Sequence, residues 1–218
     1  MKIENLTVSY GKNVVLNNFS AAFNDGETTC VLGRSGAGKT TLLRYIAGLL
    51  EQKPQGLGGV SMVFQEPRLV DNLTVKENLL FAGADEKDIE FGLVSTGLLD
   101  KENVLSTKLS GGEKQRVNFL RAVLSGADTI LLDEPFSSLD LTTKIPLMET
   151  FSNTLKLSKK TAILVTHDVE EALVLAHRVL VLDGGKITLD VPLKGVPPRS
   201  YGENYDEKAV ILSEILKR

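Results

Sequence analysis

The 218-residue sequence predicts an α/β fold: a mostly parallel sheet flanked by helices, with an antiparallel β edge and a helical insert. Three observations point there. A short apolar run at residues 28–32 reads as a strand, and the continuous runs at 129–132 and 162–165 mark strands covered on both faces. Segments with helical spacing lie between them. The first apolar run also opens into a glycine-rich loop that is followed at once by a helical pattern.

Taken in order, residues 2–10 and the stretch around 19–23 alternate apolar and polar side chains, as half-buried strands do. The turn Gly11-Lys12-Asn13 separates them, and Asn24-Asp25-Gly26 follows. Residues 28–32 read as a strand, 40–50 as a helix and 58–64 as a strand. Residues 74–105 carry few β-branched side chains and read as mainly helical; 112–124 form a further helix. After the buried strands at 129–132 and 162–165, residues 179–182 repeat the pattern. Asp183-Gly184-Gly185 then turns the chain into a last strand at 186–189. Val196-Pro197-Pro198 interrupts regular structure, and 203–216 closes as an amphipathic helix. Proline is tolerated only in a first turn, so Pro146 puts the start of the helix after Asp140 near Thr143. One domain over 1–218 is expected: a core and β edge from 1–69 and 126–195, an insert at about 70–125, and a C-terminal helix within 196–218.

Lys and Arg number 25 against 28 Asp and Glu, a net charge of −3, so no basic footprint for nucleic acid is expected. A hydrophobic fraction of 42% supports a sizeable core and argues against global disorder. The single cysteine, Cys30, excludes an intramolecular disulfide framework or a cysteine-built zinc site. It reads as a small buried hydrophobe in a reducing compartment. The first ten residues lack the order of a secretory leader, and none is expected. The best apolar run, 172–182, contains His177 and Arg178 and falls short of the about 18 residues a span requires. Any link to a membrane is therefore expected through a partner.

Gly33-Arg34-Ser35-Gly36-Ala37-Gly38-Lys39-Thr40, with Thr41 behind it, fits G-x-x-x-x-G-K-[S/T]. Glycines let backbone N–H groups converge on phosphate oxygens, and the following helix offers its positive end. Lys39 is then the candidate for the β- and γ-phosphates and Thr40 for Mg²⁺. The motif implies ATP or GTP binding, but kinases, GTPases and motors share it. Asp133 and Glu134 end an apolar strand, the end that faces the ligand crevice in open α/β sheets. Asp133 suits a partner of Mg²⁺, and Glu134 a general base for water. The bland alternative, that Asp-Glu-Pro merely opens a loop, weakens beside a complete phosphate loop. Leu109-Ser110-Gly111-Gly112-Glu113-Lys114-Gln115-Arg116 precedes a helix; on propensity alone it is an ordinary cap.

Together these motifs resemble the ABC-type ATPases, whose signature is similar to Leu109–Arg116. Other motifs stand in that family's order: Tyr10 resembles the aromatic that stacks on adenine, and Gln65 in Val63-Phe64-Gln65-Glu66-Pro67 matches the glutamine loop. Ser137-Ser138-Leu139-Asp140 matches the D-loop and Thr166-His167-Asp168 the histidine switch. The resemblance implies a P-loop ATPase core binding ATP and Mg²⁺, with Thr40, Asp133 and Gln65 at the metal. It makes Glu134, His167 and Gln65 catalytic, His167 reaching the γ-phosphate or the attacking water. It further implies a head-to-tail pair of such domains, in which Ser110, Gly111, Gly112 and Glu113 complete the partner's site.

Within the family, the stretch between Thr41 and Lys108 is too short for the long coiled coil of DNA-repair and chromosome-organising relatives. Translation-factor relatives carry two cores in one chain; this chain has one. The resemblance implies an ATPase peripheral on the inner face of the cell membrane, driving solute import through a separate permease. The insert is its docking surface, and a solute-binding protein is a further partner. The alternative is a complex that moves no solute, of the lipoprotein-release or cell-division type. Met62–Leu69 and Thr166–Ala172 look most like the bacterial nitrate/sulfonate/taurine importers, although Leu69-Val70-Asp71-Asn72-Leu73 lacks that group's Pro-Trp. No regulatory domain is expected after the last strand.

Overall fold

The computed structural model describes residues 1–52, 54, 58–137, 139–200 and 205–217. Strands β1 (Lys2–Tyr10) and β2 (Asn13–Ala22) form an antiparallel hairpin. A second sheet has the order β4-β5-β6-β3-β7-β8. There β4 (Val60–Val63), β5 (Thr129–Asp133), β6 (Thr161–Thr166), β3 (Thr28–Leu32) and β7 (Arg178–Asp183) run parallel, and β8 (Lys186–Pro192) is an antiparallel edge. The helices are α1 (Lys39–Ile46), α2 (Val75–Phe81), α3 (Glu86–Ser95), α4 (Gly111–Leu124), α5 (Leu141–Ser158), α6 (Val169–Leu175) and α7 (Tyr205–Leu216).

The buried strands divide their side chains between two cores, because successive residues of a strand point to opposite faces. Cys30, Leu32, Ile130, Leu132, Leu164 and Val179 face one core, where Phe119 of α4 stacks on Phe151 of α5 at 3.6 Å between ring centroids. Val31, Leu131, Ile163, Val165 and Leu180 face the other, which packs against α1 and the β1–β2 hairpin through Leu16, Phe19, Leu42 and Leu43. Cys30 is fully buried, and burial pushes its thiol well above the ordinary range.

A third cluster joins Val75, Leu79, Ile89, Leu93, Val117 and Leu120 of α2, α3 and α4. The buried Asn78 welds α2 to the preceding loop: its amide donates to the carbonyls of Val70, Leu73 and Thr74 and accepts the Val70 N–H. No described helix is long and apolar enough to cross a membrane.

Three expectations need correction. Strand β2 begins at Asn13, well before residue 19, because its register against β1 shifts repeatedly and breaks the alternation. Helix α1 stops at Ile46 and does not run to 50: Gly48 has φ +69°, and the Leu49 N–H closes back on the Arg44 carbonyl at 2.9 Å. Helix α5 starts at Leu141 and not near Thr143, because the Asp140 carboxylate accepts the N–H groups of Thr142 and Thr143. Pro146 therefore lies inside the helix, which does without one backbone bond. The turn at Gly184 and Gly185, with φ of +51° and +75°, is of the hairpin kind expected. Ser138 of the D-loop motif and Glu203 of the expected last helix lie outside the described residues.

Candidate nucleotide site

Strand register brings the predicted motifs to one end of the large sheet. Leu32 pairs with Thr166, Asp133 with Val165, and Val63 with Leu132. The phosphate loop, the acidic pair, the histidine loop and the glutamine loop therefore leave neighbouring strands at one level, the carboxyl end that binds ligands in such sheets. At Gly33 an added Cβ would lie 2.5 Å from the Leu182 carbonyl oxygen. At Gly38, φ is +105° and a Cβ would lie 2.9 Å from Leu16 Cδ2, so β2 leans directly on the loop. The buried Lys39 ammonium donates to the carbonyls of Gly33 at 2.8 Å and Arg34 at 3.1 Å, folding the loop around itself. Burial lowers its pKa, against the pull of Glu134 and Asp133. Arg34, Ser35, Gly36 and Thr40 are exposed; Ala37 and Thr41 are buried.

Lys39 Nζ lies 4.0 Å from Glu134 Oε1, and Glu134 Oε2 lies 3.1 Å from His167 Nδ1. Burial, reinforced by the Glu134 charge, raises the Asp133 pKa, and Lys39 and Arg44 oppose it. Glu134 has φ +46°, a left-handed conformation that costs an L-residue about 1–2 kcal/mol. Its N–H is held by the Val165 carbonyl at 2.9 Å, which fixes the kink and points the side chain at His167. The His167 side chain is 61% exposed, open to a ligand on its other side.

Two residues without an expected role lock this arrangement from α4. Gln115 donates to the Pro135 carbonyl at 2.7 Å, and Asn118 to the Phe64 carbonyl at 3.2 Å. As amides within the otherwise apolar pattern of α4 they stand out in the sequence, although their partners do not. They anchor the glutamine loop, where Gln65 is exposed and Arg68 stacks over the Phe64 ring at 4.1 Å. Ser110 and Glu113 form a reciprocal cap at the start of α4, and Glu113 also meets Lys101 at 3.7 Å. Among the described hydrogen bonds and ion pairs, those of Ser110 and Glu113 stay within this corner and do not reach the phosphate loop of the same chain. A Cβ on Gly111 would meet nothing within 4 Å, and one on Gly112 would lie 3.0 Å from Thr143. Asp140, hydrogen-bonded by Thr142 and Thr143, is held at a pKa of about 2. Tyr10 ends β1, half exposed, on the hairpin that leans against Gly38.

The oxygen donors of Thr40, Asp133 and Gln65 suit Mg²⁺, a hard cation usually held by one or two carboxylates together with substrate phosphates. Among the described residues no group of three or more His, Cys, Asp or Glu could hold a metal by itself.

A phosphate loop closed by a buried lysine, beside an acidic strand end, defines a P-loop nucleotide-binding protein. Residues 16–137 match the ABC transporter family. The chain is 38% identical over 206 residues to the aliphatic sulfonates import ATP-binding protein SsuB of Corynebacterium glutamicum, covering 87% of this chain and 84% of that one. It is 37% identical over 227 residues to SsuB 2 of Mesorhizobium japonicum, covering 100% and 90%. In fold it matches cbiO1 from Clostridium perfringens, part of the ABC transporter complex cbiONQ, with a TM-score of 0.80 at 24% identity over 99% of this chain and 94% of that one. The chain belongs to the ABC transporter family, of which it is an ATP-binding, ATP-hydrolysing member.

Proposed function

We propose that this chain powers the import of a small organic anion of the aliphatic sulfonate class through a separate permease, from the inner face of the cell membrane. The observation carrying the chemistry is the line from Lys39 through Glu134 to His167, with separations of 4.0 and 3.1 Å. The names of the relatives support the direction and solute class, and favour import over lipoprotein release or cell division.

The triphosphate lies along Gly33–Thr41, with Lys39 on its terminal phosphates and Tyr10 against the base. Thr40, Asp133 and Gln65 hold Mg²⁺, which neutralises phosphate charge when bound. Glu134 orients the attacking water and accepts its proton, and His167 hydrogen-bonds the γ-phosphate side; positioning and electrostatics supply most of such a rate. A second copy contributes Ser110, Gly111, Gly112 and Glu113 at the positive end of its α4, with Asp140 beside the join. The core and β edge bind nucleotide, and the insert between about 70 and 125 meets the permease. Phe81 and Phe91, 69% and 65% exposed, support that docking role. The test is purification from native membranes in mild detergent. A multi-span permease with a receptor that binds alkanesulfonates supports the reading; a lipoprotein-release or division complex overturns it.

A further inference from the structure

His167 carries the proposed contact to phosphate, yet its own ring has one described partner, Glu134. What holds it there lies on either side of it in the chain and on another helix. Thr166 is buried at the end of β6; its hydroxyl donates to Glu171 Oε2 at 2.5 Å and accepts the Asp168 N–H at 3.1 Å. Asp168 uses one carboxylate oxygen to cap α6, accepting the Glu170 N–H at 2.8 Å. Its other oxygen accepts from Lys144 Nζ at 2.6 Å, and Lys144 lies 2.5 Å from Glu171 Oε1. Lys144 is 7% exposed and Glu171 1%. A buried cation thus closes a ring through Asp168, Thr166 and Glu171 around the single residue His167.

Lys144 comes from α5, and its N–H bonds the Asp140 carbonyl at 2.8 Å in the first turn of that helix. The D-loop end and the histidine loop are therefore fastened at one ammonium group. Burial pushes Lys144 down, but its bonds to Asp168 and Glu171 prevail and raise its pKa, so it stays charged. Burial likewise pushes Asp168 up, and the Lys144 bond prevails to hold it below the ordinary carboxylate range.

We infer that Lys144 is a positioning residue: by clamping Thr166, Asp168 and Glu171 it fixes His167 toward Glu134 and fastens that geometry to the Asp140 end of α5. The inference rests on the proposed role of His167. A shift of about 1 Å in a positioned group can cost roughly 100-fold in rate; among the described residues the Lys144 ammonium contacts Asp168 and Glu171 and not the phosphate loop, so its loss acts on position while leaving the nucleotide cradle intact.

The test uses the purified chain, whose two histidines, His167 and His177, give two ring signals by NMR. Lys144→Met is expected to lower kcat roughly 10- to 100-fold with KM for ATP changed less than threefold. It should also shift the His167 ring signal and leave that of His177 in place, and Lys144→Arg should restore at least a third of kcat. Should Lys144→Met not fold, Thr166→Val removes the shared hydroxyl at nearly constant volume and should move the same signal and lower kcat. An unmoved His167 signal with kcat within threefold overturns the inference; so does a loss of rate in which both histidine signals move together, the mark of general destabilisation. His167→Ala separates the two claims: if it keeps full activity, the role of His167 itself fails, whereas its inactivation beside an unaffected Lys144→Met removes Lys144 alone.

Discussion

Replacing Glu134 by glutamine keeps the shape of the side chain and removes its charge and its capacity to take a proton. Two effects of opposite sign follow. The carboxylate lies 4.0 Å from the Lys39 ammonium, and both side chains are mostly buried. At an effective dielectric near 20, that pair is worth roughly 4 kcal/mol before desolvation. Desolvation offsets most of it and leaves about 1 kcal/mol. Neutralising Glu134 frees that much of the Lys39 charge for the triphosphate, so ATP should bind about fivefold tighter. Losing the proton acceptor should lower kcat by roughly 10²–10⁴, or about 2.7–5.5 kcal/mol of barrier. The variant should accumulate as an ATP-bound dimer, because ligand binding that requires the paired state stabilises it by mass action. Calorimetry with ATP and Mg²⁺, phosphate-release kinetics and gel filtration read the three quantities. A kcat within threefold of the parent would remove Glu134 from its role. Weaker ATP binding would refute the electrostatic argument even if turnover stopped.

Lys39→Ala removes a charged donor to the phosphates; titration calorimetry should show ATP affinity down roughly 10- to 100-fold, and unchanged affinity would count against the loop assignment. Phe151→Ala empties the ring stacked on Phe119 and should cost about 3–5 kcal/mol, lowering the melting temperature by roughly 10 °C; a shift under about 2 °C would contradict that packing. His177 accepts the Thr28 N–H at Nδ1 at 3.0 Å and donates its own N–H to the Thr28 carbonyl. Burial holds its pKa below the ordinary value of 6.5, so the unfolded chain binds the proton first. Stability from this residue should therefore be intact above pH 6.5 and fall as pH drops below it, by at most about 1.4 kcal/mol per pH unit. Denaturant titrations of His177→Gln should show a flatter acid limb; an identical limb would exclude His177 as the cause.

The central strands were legible because burial on both faces leaves mostly apolar runs, tolerating only threonine among polar residues, and Thr28–Leu32 matches its expected bounds. The phosphate loop was legible because close backbone approach demands glycine where Leu182 and Leu16 crowd it. Strand β2 was only half legible: Asn5 and Asn18, with φ of +50° and +52°, bend the hairpin and scramble the period on which a strand is read. The α5 boundary was misjudged because the proline rule speaks to the lost N–H and not to a cap as strong as Asp140. Nothing local announces that Gln115 reaches Pro135 or that Lys144 reaches Asp168, since these partners are brought together by helix packing across many residues of chain. Sequence could name the motifs that meet at this end of the sheet; the side chains that aim them required three dimensions.

The burial of Cys30 gives this molecule an internal clock. The sole thiol sits mid-sheet on the strand that runs straight into Gly33, so β3 cannot surrender it to an alkylating reagent without dismantling the phosphate cradle as well. Labelling then counts excursions to the open form, and saturating ATP at 100 times its dissociation constant should slow the labelling about 100-fold. One mass-spectrometric time course would thereby report, without any engineered tag, how firmly each nucleotide keeps the site shut.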